Sequence, residues 1–266
     1  MTEPHTADSA QDAPPAETAP PQRKRTGWRV LGRILAVLGA ILVIAVVGFV
    51  TWSQIGVMAA EPEPVAAVQA NPAIDVTDDG TAIVLSPTSG ATGEGLVYYP
   101  GAKVDAWAYA AKLSGLVEEG TTLVIVRPWL NLALFDLRPL STFTELAPGV
   151  DTWAVGGHSM GGVRACIVSA DADRLVLFAA YCGSDISGTG IPVLSVSGSE
   201  DALATPQKIA DSRHLLPTDA EFAEIAGASH SSFGDYGPQP GDGTPTISDD
   251  DMTAQLTELV SPFLTP

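Results

Sequence analysis

Ser159 stands between glycines in residues 155–162, VGGHSMGG. Gly157, His158, Ser159, Met160 and Gly161 fit Gly-x-Ser-x-Gly, the pattern of a nucleophilic serine held on a sharp turn between a strand and a helix. The plainer reading is a glycine-rich turn with a bystander serine. A serine hydroxyl attacks poorly unless a base takes its proton, so the pattern calls for a histidine. The chain has four. His5 is in the N-terminal tail, His158 adjoins the serine and is turned elsewhere, and His214 follows Arg213 late in a helical stretch. His230, in AGASHSSFGDYG, follows the last strand-like run and is the preferred base. A third group must hold the imidazole in one tautomer and stabilise its cation. Asp201, in VLSVSGSEDALATP, follows a strand and precedes a helix, and is preferred over Glu200 and Asp185; its plainer role is a helix cap. An oxyanion needs two backbone N–H donors. Met160, after the serine, and Ala102, in the loop after LVYYP, are the candidates, with Gly101 allowing close backbone approach.

These residues must be carried by elements that end at one place. Strand-like runs cover residues 81–86, 95–100, 121–128, 151–157, 173–181, 191–198 and 220–227. Helical stretches cover 104–120, 160–170, 205–216 and 248–264, the last opened by aspartates that suit a helix N-terminus. Apolar strands that do not alternate, separated by helices, predict an α/β fold: a doubly wound, mostly parallel sheet covered on both faces. Ligands of such sheets gather beyond the carboxyl ends of the strands, where all five candidates are expected.

Ahead of that domain, residues 1–27 form a Pro/Ala/Thr-rich tail too poor in large apolar side chains to fold, expected to be disordered and cytoplasmic. Residues 28–55 hold the uncharged run 34–52, ILAVLGAILVIAVVGFVTW, close to the ~20 residues that cross a bilayer. The basic cluster RKRTGWRVLGR precedes it, and Glu61 and Glu63 follow. The positive-inside bias therefore predicts a single-pass cell-membrane anchor with a cytoplasmic N-terminus and an extracytoplasmic domain. A cleaved signal peptide with VMAA at 57–60 is the competing reading. Residues 56–75 read as an extended Pro/Ala/Glu linker, and 76–266 as the folded domain.

From residue 34 onward, 8 Lys and Arg face 27 Asp and Glu. Such a surface repels phosphate backbones, which argues against nucleic-acid binding. Cys166 and Cys182 are either one bridge or two buried thiols. No Cys/His cluster has zinc spacing and no Gly-x-Gly-x-x-Gly fingerprint occurs, so no metal or organic cofactor is expected.

YYPGAKVD, NLALFD, GGHSMGG, GSEDALATP and SHSSFGDYGPQPGDGTPTI together resemble the α/β-hydrolase superfamily over residues 76–266. More narrowly they resemble its compact bacterial fold-5 group, related to dienelactone hydrolases. The resemblance implies a Ser159–Asp201–His230 triad. Dienelactone hydrolases carry a cysteine where this chain has Ser159, so lactone specificity does not transfer. The expected function is a membrane-anchored serine hydrolase that cleaves an ester or related small acyl compound through an acyl-enzyme. The alternative is a catalytically inactive hydrolase-fold binding module on the cell surface. Residues 131–150 are the only stretch long enough for a small cap, and Arg127 and Trp129 are candidates to line the site.

Overall fold

The computed structural model describes residues 26–265. The tail, expected to be disordered, and His5 within it fall almost wholly outside them. The chain divides into two compact units, one up to Val47 and the other from Gly48. Helix α1, Thr26–Gln54, begins in the first and ends in the second. It contains one helix length, Gly27–Gln54, long and apolar enough to cross a membrane, with none of its most apolar window buried. A signal sequence would have the same character.

The second unit is built on one eight-stranded sheet. Its strands are β1 Ile74–Asp78, β2 Ala82–Pro87, β3 Glu94–Tyr99, β4 Thr122–Val126, β5 Thr152–His158, β6 Arg174–Phe178, β7 Val193–Gly198 and β8 Glu221–Ile225. The spatial order is β1-β2-β4-β3-β5-β6-β7-β8. β1 and β2, and β2 and β4, pair antiparallel; every other pair is parallel. The mostly parallel α/β sheet is thus as expected, with β1 an additional antiparallel edge.

Successive residues of a strand point to opposite faces. Leu96 and Tyr98 of β3, with Leu123 and Ile125 of β4, enter one core cluster. Val97 and Tyr99, with Val124, Val126, Val155, Leu175 and Leu177, enter the other. All are buried, so helices must cover both faces. They are α2 Pro62–Ala70, α3 Ser114–Glu118, α4 Ser141–Thr144, α5 Met160–Val168, α6 Pro206–Ser212 and α7 Asp249–Leu264.

Three local readings need correction. Residues 62–70, expected to be extended, form α2: Pro62 and Pro64 suit a first helical turn, and Val68 is buried in the core. The helix expected over 104–120 is broken into a 3₁₀ turn, Ala106–Tyr109, and α3. The Asp235 N–H takes the Ala108 carbonyl, at 2.6 Å, which a continuous α-helix would give to Lys112. The strand expected over 173–181 stops at Phe178, because Ala179 turns to φ 46°.

Cys166 of α5 and Cys182 beyond β6 form a disulfide, Cα atoms 5.6 Å apart and 16 residues apart in sequence. Closing a loop of that length is worth about 3 kcal/mol against the unfolded chain. The double substitution Cys166→Ser/Cys182→Ser should therefore lower Tm by about 6–12 °C for a domain of this size, measured by calorimetry under oxidising conditions.

Candidate active site

The parallel strands deliver the candidate residues to one edge. Ser159 follows β5, Asp201 comes three residues after β7, His230 five residues after β8, and Gly101 and Ala102 follow β3. Ser159 is the residue at which the strand becomes α5, and it adopts φ 53° and ψ −121°, a left-handed conformation costly for a non-glycine residue. Its N–H bonds the Phe178 carbonyl at 3.0 Å, and its carbonyl accepts from Gly162 and Val163, which pins the turn. Gly161 is required by crowding: a Cβ there would lie 1.9 Å from the Tyr99 carbonyl oxygen. Packing α5 that close to β3 brings the loop after β3 against the serine turn.

His230 and Asp201 are buried together. The imidazole Nδ1 donates to Asp201 Oδ2 at 2.8 Å. The other carboxylate oxygen, Oδ1, accepts from the Leu203 and Ala204 N–H groups at 2.8 and 2.7 Å. Both oxygens are therefore committed, and the aspartate also serves the capping role open to it from sequence. Ser159 and His230 line one pocket of about 210 Å³ with Met160, Ala179, Tyr181 and Leu203. No hydrogen bond joins Ser159 Oγ to His230, a separation common in unliganded sites that tighten on substrate.

Asp242, in the Gly/Pro/Asp loop after His230, fixes the surroundings of the pair. Its carboxylate accepts from the N–H groups of His230 at 3.0 Å, Ser231 at 2.8 Å and Gly243 at 2.7 Å. Burial pushes its carboxyl up, but the N–H groups of Ser231, His230 and Gly243 outweigh this and hold it below the usual carboxylate range. A carboxylate with a depressed folded pKa contributes stability that is complete above its unfolded value, about 4, and is lost as pH falls through the folded value. Asp242→Ala should therefore cost about 1–3 kcal/mol at pH 7. The gap in Tm between wild type and variant should close as pH is lowered from about 4, as a thermal melt at each pH would show.

His158 has a different occupation. Its Nδ1 lies 2.9 Å from the Tyr109 hydroxyl, which accepts the Gly101 N–H at 3.0 Å and so has its own proton for the imidazole. Burial, and then the neighbouring His230 ring 4.4 Å away, push the His158 pKa well below the ordinary value. It is a neutral, buried spacer between His230 and Phe233 that ties down the loop carrying Gly101 and Ala102. A Cβ at Gly101 would meet His158 Nδ1 at 2.8 Å, so the glycine is what permits this contact. Among the described residues, neither the Met160 nor the Ala102 N–H has an acceptor.

A model of the alpha/beta hydrolase family matches residues 95–254, more than half of the chain. The chain belongs to that family. A comparison with individual curated proteins finds no match. The hydrolase domain leaves several sequence candidates apart from the pocket. His214 is exposed and bonds the Asp211 carbonyl, Asp185 is exposed and bonds Ser187, and Glu200 is exposed beside Ser199. Arg127 pairs with Asp78 at 2.5 Å, and neither it nor Trp129 lines the pocket. No residue of 131–150 does so either. Asp242 and the Tyr109–His158 pair had no sequence signal beyond their residue types. Among the described residues, no group of three or more His, Cys, Asp or Glu is arranged to hold a metal.

Proposed function

We propose that this hydrolase is a membrane-anchored serine hydrolase that cleaves an ester or related acyl compound. Ser159 Oγ attacks the acyl carbon while His230 Nε2 takes its proton. Asp201, bonded to Nδ1, keeps the free nitrogen on the serine side and stabilises the imidazolium. The Met160 and Ala102 N–H groups receive the developing oxyanion. The imidazolium protonates the leaving group, and water, deprotonated by His230, releases the acid from the acyl-enzyme. The observation that carries this reading is the buried His230–Asp201 bond sharing one pocket with a serine held at φ 53°. The resemblance of the sequence motifs to dienelactone-hydrolase-related enzymes supports the same acyl chemistry, with a serine in the cysteine position.

The uncharged run 34–52 supports an uncleaved single-pass anchor, with the N-terminus cytoplasmic and residues 76–266 outside. A panel of p-nitrophenyl esters of graded chain length tests the activity in the full chain. Saturable turnover of at least one ester supports the enzyme. A folded protein inert towards all of them, and towards thioester and amide analogues, supports the non-catalytic binding module instead. Retention of the intact chain in carbonate-washed membranes is expected; recovery of a soluble form beginning near residue 60 would mean a cleaved signal peptide.

A further inference from the structure

Beyond residue 54, seven large apolar side chains are exposed among the described residues, and four of them fall in one short segment. They are Trp129, Leu134, Phe135 and Leu137, exposed by 50, 39, 48 and 74%. The segment consists of two 3₁₀ turns, Trp129–Asn131 and Ala133–Phe135, and it leaves the carboxyl end of β4. That is the same sheet edge at which Ser159 stands.

Two sets of contacts, both inside the unit that begins at Gly48, show what adjoins it. On one side are the final turns of α1. The Phe49 and Phe135 rings lie 5.2 Å apart, and Asn131 Nδ2 donates to the Ser53 carbonyl at 3.2 Å. On the other side is the candidate oxyanion loop: the Lys103 N–H donates to the Asn131 carbonyl at 2.8 Å, and Lys103 Nζ sits 4.5 Å from the Trp52 ring. Leu130 and Asn131 hold left-handed φ values of 59° and 56°, a cost these two sets of bonds sustain.

Lys103, Arg127, Arg138 and Arg164 are four of the eight Lys and Arg after residue 34. Arg127 and Arg138 flank the apolar segment, Lys103 bonds into it, and Arg164 donates to the Arg138 carbonyl. Three of the four are occupied inside the domain: Arg127 pairs with Asp78, Arg138 pairs with the buried Asp136, and Arg164 is itself buried. Exposed Trp, Phe and Leu beside the end of an apolar helix suit the boundary of a bilayer.

We propose that residues 129–137 are a bilayer-docking surface, continuous with the end of the apolar helix, that seats the catalytic mouth at the lipid surface and makes bilayer-resident, long-chain acyl amphiphiles its substrate class. The inference rests on the anchor and hydrolase readings above, and its test separates them.

With Cys166 and Cys182 bonded to each other, a single added cysteine can carry an environment-sensitive nitrobenzoxadiazole label. Full-length Leu137→Cys, Val43→Cys and Asp219→Cys are reconstituted in phosphatidylcholine vesicles containing phosphatidylglycerol, with and without a nitroxide lipid. Position 219 precedes β8, at the opposite sheet edge. Labels at 137 and 43 should be quenched and that at 219 not. Quenching at 43 but not at 137 overturns docking and leaves the anchor. Quenching at 137 but not at 43 supports docking and overturns the anchor, and quenching at neither overturns both. Phe135→Glu/Leu137→Glu should then lower hydrolysis of a long-chain umbelliferyl ester embedded in the vesicles by about tenfold or more. Turnover of soluble p-nitrophenyl acetate should stay within about twofold, as for surface substitutions generally. Equal rates on the vesicle ester for wild type and variant would overturn the substrate class, whereas a wild type inert towards the vesicle ester and the whole soluble panel would overturn the hydrolase reading.

Discussion

Ser159→Ala should lower kcat for ester hydrolysis on the order of 10⁶-fold, with the melting temperature nearly unchanged. The size follows from the role: when nucleophile and base act as a unit, removing either collapses the covalent route, and only oxyanion and binding contributions remain. The small structural cost follows from the contacts. The turn is fixed through the Ser159 backbone, by its N–H to Phe178 and by Gly162 and Val163 to its carbonyl, and among the described residues its side chain has no hydrogen-bond partner. Alanine keeps these bonds and the same φ. Measuring kcat beside a thermal melt separates loss of chemistry from loss of fold. A variant retaining even a hundredth of wild-type activity would remove Ser159 from the reaction.

The second large effect is expected at Asp201. Asp201→Asn is close to isosteric, and its amide oxygen can still accept the Leu203 and Ala204 N–H groups that the carboxylate holds at 2.8 and 2.7 Å. The loop should therefore keep its shape. The amide nitrogen then faces His230 Nδ1 as a donor, where the carboxylate was an acceptor at 2.8 Å. To meet it, Nδ1 must give up its hydrogen, and the proton moves to Nε2, the nitrogen that has to accept from Ser159. With the wrong tautomer and no carboxylate for the imidazolium, kcat should fall about 10⁴-fold. A pH–rate profile beside kcat distinguishes this from a folding defect. If the Asn variant retained full activity, Asp201 would be only the helix cap that its Oδ1 bonds already make it.

How much of this was legible in the sequence depended on distance along the chain. The sheet edge was legible because each candidate lies within five residues of the end of a strand-like run, and parallel strands share a carboxyl-end edge. The turn at Ser159 was legible from its glycines. What escaped was made by partners remote in sequence. The helix over 104–120 breaks because Asp235 captures the Ala108 carbonyl, and no local propensity shows a competitor that far away. The Tyr109–His158 contact spans 49 residues and makes the histidine beside the serine a spacer. Residues 62–70 looked like a linker from their prolines, yet the prolines lie where a helix tolerates them and Val68 is buried. The clamp by Asp242 was hidden because an Asp in a Gly/Pro-rich loop reads as a turn residue until its acceptors are seen to point at His230 and Ser231.

The most direct measurement is reaction of the folded full-length protein with a fluorophosphonate, followed by mass spectrometry of the peptides. One adduct is expected, on Ser159, absent from Ser159→Ala and formed much more slowly in Asp201→Asn. Wild-type protein that stays unmodified, or an adduct that persists in Ser159→Ala, would contradict the assignment of the nucleophile.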